Sequence, residues 1–343
     1  MEVSLIKSGI ILVVTAASLC GILTYLEIPI LKKIKAGQNI REEGPQAHLS
    51  KAGTPTMGGI SMIITFVLLG VTLIIYQPQL VPAIAVILFC TLAYSAIGFY
   101  DDFLKIRKHQ NEGLSSKQKA LLQVVIGLVL AMYRFFTGHT SVFIPVYGKM
   151  VDFGFFIIPF TVFVFVAMTN AVNLTDGLDG LSSSVTMNAS ACLGILLLLG
   201  AKHTDHETGI SMGYSGDPAS AALAFVLCGC CIGFLVFNRH PAKIFMGDTG
   251  SLAMGAALSA IAMTDGFDFA LPIIGLIYVV EVVSVMIQVY VFKTQNGRRF
   301  FRMAPLHHHF ELGGWSEEKV DAVFALVTLA MGVLCIFIFS IGF

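Results

Sequence analysis

The 343-residue sequence predicts an all-α polytopic membrane protein of about ten transmembrane helices, with both termini on the outer side. Three observations predict it. Hydrophobic residues make up 56% of the chain and charged residues 12%, about half the roughly 25% usual in soluble proteins. The mean hydropathy is +0.83. The apolar residues gather in runs close to the roughly 20 that a helix needs to cross a bilayer core. With 21 Lys+Arg against 21 Asp+Glu there is no basic excess for nucleic acid, and the composition excludes disorder and collagen.

The runs centre on residues 8–29, 58–76, 80–100, 119–137, 154–171, 181–200, 219–237, 249–264, 270–292 and 322–343. The first, Ser8 to Leu26, is long enough to span, and Lys32, Lys33 and Lys35 follow it as a stop-transfer flank, unlike a cleaved signal peptide. Spans two and three share the uncharged stretch Ala52 to Tyr100, which the turn Gln77-Pro78-Gln79 cuts in two. The eighth span is short, and the ninth carries Glu281 inside it. Cys20, Cys90, Cys192, Cys228, Cys230, Cys231 and Cys335 all lie in apolar stretches, without a repeated metal-type pairing, and read as small packing residues.

Orientation follows from Lys and Arg. The loops after spans one, three, seven and nine hold 17 of the 21 basic residues, leaving Lys7, Arg134, Lys149 and Lys202 for the other side. The loops after spans one, three, five, seven and nine are therefore expected in the cytoplasm. On the outer side, the Val, Ile and Phe alternation around Tyr147-Gly148-Lys149 predicts a small β-hairpin near 140–155. The polar stretch His203 to Asp217 is expected to carry at most a short surface helix.

Charge near a membrane is costly, so clustered acids need a reason. Asp101-Asp102 closes the third span, Asp176 and Asp179 follow the fifth within Asn170 to Gly180, and Asp248 opens the eighth within Phe245 to Ser251. Each taken singly fits a helix cap or a solvated turn. Five aspartates from three loops on one face, with glycines beside two of the loops, suit a Mg²⁺–pyrophosphate site better, because hard cations take oxygen ligands. Lys51, before the Thr54-Pro55-Thr56-Met57-Gly58-Gly59 entry to span two, and Lys117, at the mouth of span four, supply cations on that face. Either one alone also reads as a snorkelling positive-inside residue. His307, His308 and His309 are adjacent and lack a spaced partner cluster, which favours phosphate contact or proton chemistry over zinc.

Together, Lys51 to Gly59, Asp101-Asp102, Asn170 to Gly180, Phe245 to Ser251 and Pro305 to Glu311 resemble the phospho-N-acetylmuramoyl-pentapeptide transferases. These belong to the polyprenyl-phosphate N-acetylhexosamine 1-phosphate transferase superfamily, and the resemblance runs over essentially the whole chain. It implies one transmembrane domain, 1–343, with cytoplasmic loops 30–57, 101–118, 172–180, 238–248 and 293–321 forming the active site. The implied reaction moves phospho-N-acetylmuramoyl-pentapeptide from its UDP carrier to undecaprenyl phosphate, giving lipid I and UMP, in the bacterial inner membrane and with Mg²⁺. A homodimer is implied too.

Roles carried over from the resemblance are these. Asp248 contacts Mg²⁺, and Asp101 and Asp102 activate or orient the lipid phosphate. Lys51, Thr56, Lys117, Asn170, Asn173, Asp176, Asp179, Gly247 and Gln288 serve the nucleotide site and its support. Phe245 stacks on uracil with Asn238 near the base edge, and His307, with His308 and His309 beside it, contacts phosphate or sugar. Direct attack by the lipid phosphate and a covalent aspartyl intermediate both remain open, with direct attack preferred. The alternatives are a relative using another UDP-N-acetylhexosamine and, in a different class, an ion-coupled transporter. The latter would carry its acids near mid-span and show inverted repeats.

Overall fold

The computed structural model describes residues 2–34, 53–108, 113–145, 147–200 and 217–341. Lys51 and the stretch 203–216 lie outside them. The described chain is almost wholly helical, because backbone groups in hydrocarbon must be paired within each segment. Helix α1 (Glu2–Lys33) packs along α7 (Pro218–Asn238), and α6 (Leu181–Gly200) lies between α7 and α12 (Glu317–Ile341). Helix α4 (Ser116–Phe136) packs on α5 (Ile157–Thr175), while α2 (Gly59–Tyr76), α3 (Val81–Lys108) and α5 surround α8 (Gly247–Thr264). Among the described residues, nine helices are long and apolar enough to cross a membrane.

Helix α8, the eighth of the ten expected spans, falls outside those nine for a physical reason. Every residue from Thr249 to Met263 is buried, and many are small: Gly250, Ser251, Ala253, Gly255, Ala256, Ala257, Ser259 and Ala260. Small residues let backbones approach, which substitutes packing for hydropathy. A Cβ on Gly59 would lie 2.2 Å from Gly250 Cα, and one on Gly98 would lie 2.1 Å from the Asp248 carbonyl oxygen. The chain thus presses α2 and α3 against the first turn of α8, where Asp248 sits.

Three sequence expectations are modified. The ninth span is not continuous: a short α9 (Ala270–Ile274) stops at Gly275 and α10 (Leu276–Thr294) resumes. Asp101-Asp102 does not end the third helix, which runs on to Lys108 with Lys105, Arg107 and Lys108 in its last turn. At 1.5 Å per residue its 28 residues reach roughly 42 Å, beyond a hydrocarbon core of about 30 Å, so the last turns stand clear of it. Lys117 is exposed, and Lys119 faces the bundle instead.

The expected hairpin is present at the opposite end, with β1 (Ser141–Ile144) pairing antiparallel to β2 (Lys149–Asp152). Phe143 N donates to the Gly266 carbonyl at 2.8 Å, tying the hairpin to the end of α8. Beside it Arg134 grips Asp268 bidentately, at 2.9 and 2.8 Å, with both side chains buried. That pair closes the end of the bundle remote from the aspartate cluster. All seven cysteines are buried and free, as packing residues.

Candidate active site

The last turns of α3, the first turn of α4, the end of α5 and the start of α8 meet at one end of the bundle. Oxygens of Asp101, Asp102 and Asp248, one from each, all lie within 4.8 Å of one another. Two lysines face them. Lys105 Nζ is 2.6 Å from Asp101, 3.5 Å from Asp102 and 3.0 Å from Asp248. Lys119 Nζ donates to Asp248 Oδ2 at 2.6 Å and lies 3.4 Å from Asp101. The position of Lys119 follows from a capping box. The Ser115 side chain accepts from Gln118 N, and the Gln118 side chain accepts from Ser115 N, which fixes the start of α4. Lys117 and Lys119 are then two residues apart on a helix, roughly 200° around it, so one turns to water as the other turns inward.

Each aspartate is held differently. Asp102 Oδ2 accepts from Thr249 N at 2.9 Å and Thr249 Oγ1 at 2.7 Å, so α3 caps the free N–H groups of α8. Asp101 Oδ1 accepts from Leu114 N at 2.8 Å. Asp248 Oδ1 accepts from Asn173 Nδ2 at 2.6 Å, and the same amide donates to Ser251. Gly247 has φ +72°, and a Cβ there would lie 2.6 Å from Asp102 and 2.9 Å from Thr56 Oγ1. Thr56 thereby borders the carboxylates. The segment ahead of it is laced to the Phe245 loop: Phe245 N donates to the Pro55 carbonyl, and Gly58 N to the Phe245 carbonyl. The Phe245 ring stays partly exposed.

Asp176 caps α5 beside this cluster. Loss of hydration, and then the nearby Asp248, Asp102 and Asp179 charges, push its carboxyl well above the usual carboxylate range. Next to it is His307, fully buried on α11 (Leu306–Glu311). Glu281 of α10 accepts from His307 N at 3.1 Å and holds its Nδ1 at 3.2 Å. Where Glu281 is ionised it can only accept, and Nδ1 is then the donor. Nε2 has no hydrogen-bond partner among the described residues and points at Gly177, where a Cβ would lie 2.2 Å from it. It is a buried polar atom with no partner among the described residues, packed against the loop that carries Asp176 and Asp179.

Several expected residues support the site without facing the carboxylates. Asn238 is buried, accepting from Ser183 and donating to the Ile244 carbonyl at 3.0 Å, so it shapes the Phe245 loop. Asn170 donates to Gln123 and the Val166 carbonyl, one helical turn away from Asn173. Gln288 binds Phe300 N, Phe301 N and the Phe301 carbonyl. Asp179 accepts from Ala242 N and bonds His240, both at 3.0 Å, while its N–H donates to Glu317, latching two loops to the start of α12. His308 pairs with Glu311, and His309 Nδ1 accepts from Arg302 N at 3.1 Å.

A family model described as glycosyl transferase family 4 matches residues 84–266. A second, phospho-N-acetylmuramoyl-pentapeptide-transferase signature 1, matches residues 51–64. The chain is 42% identical over 329 residues to a phospho-N-acetylmuramoyl-pentapeptide-transferase of Clostridium perfringens, covering 96% of both chains. The chain belongs to the phospho-N-acetylmuramoyl-pentapeptide-transferase family. The namesakes from Desulfitobacterium hafniense and Bacillus subtilis are 44% and 41% identical, over 94% and 92% of this chain and 94% and 93% of their own. Membership makes this a multi-pass inner-membrane protein of bacterial cell-wall synthesis.

Within this transferase, three site residues escaped sequence reasoning. Lys105 and Lys119 were visible only as positive-inside charges, and Glu281 as a lone carboxylate in an apolar run. The signal that could have found Lys105 is its spacing, one turn after Asp101.

Proposed function

We propose that the chain transfers phospho-N-acetylmuramoyl-pentapeptide from UDP to undecaprenyl phosphate, releasing UMP and forming lipid I. The observation that carries this reading is the convergence of Asp101, Asp102 and Asp248 with Lys105 and Lys119 at one end of a membrane bundle. Attack of a phosphate anion on a pyrophosphate needs screening cations and in-line placement more than covalent help. The donor set is all hard oxygen, the ligand type Mg²⁺ takes, and its three oxygens lie within 4.8 Å of one another. Asp248, with Asp101 and Asp102 beside it, would hold the ion, which when bound neutralises phosphate charge. Lys105 and Lys119, displaced from the carboxylates, then have phosphate oxygens to pair with.

In this reading an oxygen of the lipid phosphate forms a bond to the sugar-bearing phosphorus, the pyrophosphate P–O bond breaks, and UMP leaves with its electron pair. Asp101 receives or orients the proton of the lipid phosphate. The partly exposed Phe245 ring offers a stacking face for uracil, with Thr56, Asn173 and Asp176 around the nucleotide. His307, oriented by Glu281, presents Nε2 to the phosphate or sugar. The site opens on the cytoplasmic face, where the donor is dissolved, and two copies associate through apolar outer helices. Purified protein given undecaprenyl phosphate and Mg²⁺ should release UMP from UDP-N-acetylmuramoyl-pentapeptide. Release from UDP-N-acetylglucosamine alone would shift the assignment to a related hexosamine phosphotransferase.

A further inference from the structure

From Val282 to Phe310 the chain contains no acidic residue, yet it carries Lys293, Arg298, Arg299 and Arg302. Lys293 sits in the last turn of α10, so this positive block begins where a spanning helix leaves the hydrocarbon. The chain then doubles back: Asn296 and Gly297 take φ of +48° and +83°, Gly297 N donates to the Phe292 carbonyl and Arg298 N to the Gln295 carbonyl. The turn returns Arg298 and Arg299 over the end of α10. Among the described residues none of Lys293, Arg298 and Arg299 has an ion-pair partner, and all three are exposed. Phe292 and Phe300, on either side of them, are 49% and 63% exposed. Basic heads flanked by exposed rings at the end of a spanning helix match a layer that is anionic on top and apolar beneath.

The turn is also rigidly wired. Gln288 clamps Phe300 and Phe301 to α10, Arg302 N donates to His309, and Arg302 Nη1 donates to the Leu312 carbonyl at 3.0 Å. Whatever holds the turn therefore also holds α11, which carries His307.

We propose that the turn Lys293–Phe300 is a docking site for anionic phospholipid headgroups, which fasten α11 to the membrane surface. The ligand is a bilayer phosphodiester with a negative headgroup, distinct from either substrate. Each basic side chain at an anionic leaflet contributes about 1 kcal/mol, so removing two weakens retention about thirtyfold, the factor that about 2 kcal/mol represents.

The test uses full-length protein in nanodiscs of phosphatidylcholine with a minor share of phosphatidylglycerol, counting retained lipids by native mass spectrometry. The expected result is selective retention of phosphatidylglycerol, lost with salt. It should also be lost in Arg298→Gln/Arg299→Gln, restored in Arg298→Lys/Arg299→Lys, and unchanged in Lys149→Gln on the opposite side. The Gln and Lys variants must melt at the same temperature, which separates charge from local folding. Equal retention in the Gln variant would overturn the proposal. Displacement of phosphatidylglycerol from the wild type by equimolar UMP or inorganic phosphate would also overturn it, by making the turn a soluble-phosphate site.

Discussion

Replacing Lys119 by Met tests the most specific feature of the site, because sequence reasoning points to Lys117 and geometry to Lys119. Lys119 donates to Asp248 at 2.6 Å and lies 3.4 Å from Asp101, whereas Lys117 is exposed. Three carboxylates face two ammonium groups, so Lys119→Met leaves Lys105 alone against them. A hydrogen bond between charged partners contributes about 1.5–3 kcal/mol. If that interaction passes to phosphate in the transition state, kcat/KM for UMP release falls about 10- to 150-fold. Lys117→Met, a surface change, should stay within about twofold of wild type. The assay is initial-rate UMP release in detergent, with matched melting temperatures for both variants. A larger loss in Lys117→Met than in Lys119→Met would refute the assignment.

Other consequences can be checked alongside. Gly98→Ala puts a Cβ 2.1 Å from the Asp248 carbonyl oxygen, so it should prise α3 from α8 and lower turnover and melting temperature together. Arg134→Met leaves the buried Asp268 unpaired and should cost about 3–5 kcal/mol of stability, read by thermal unfolding, without moving substrate KM in the surviving folded enzyme. Asp265, at the end of α8, has its carboxyl pushed up to about 8 by burial. The folded state then holds a proton that the unfolded state releases, so this contribution is full below about pH 4 and is lost as pH rises through about 8. Asp265→Asn should flatten that fall in melting temperature. Phe245→Ala should raise the nucleotide-sugar KM roughly five- to a hundredfold, as base stacking of about 1–3 kcal/mol implies, and leave the lipid-phosphate KM unchanged.

Spans with bulky apolar residues and basic flanks were legible in the sequence, since hydropathy and Lys/Arg bias act locally. Helix α8 was the weak expectation because its Ala, Gly and Ser residues lower hydropathy while permitting the closest packing in the bundle. The break at Gly275 lies in a long apolar run, whose hydropathy masks the local signals of Pro272 and Gly275. The aspartates were legible as clusters, but not that Asp102 caps α8, since its partner Thr249 is 147 residues away. Glu281 was visible, and only folding shows that it holds His307. The choice between Lys117 and Lys119 rests on where α4 begins, which the Ser115–Gln118 capping box sets.

The proposed transfer rests on the Asp101–Asp102–Asp248 cluster. Its most direct test is Mg²⁺-dependent UMP release by purified wild type and Asp248→Asn, with UDP-N-acetylmuramoyl-pentapeptide and undecaprenyl phosphate. Wild type should release UMP only when metal and lipid phosphate are both present, and Asp248→Asn should turn over about a thousandfold more slowly, roughly 4 kcal/mol of barrier, while remaining folded. Near wild-type release by Asp248→Asn would contradict the claim.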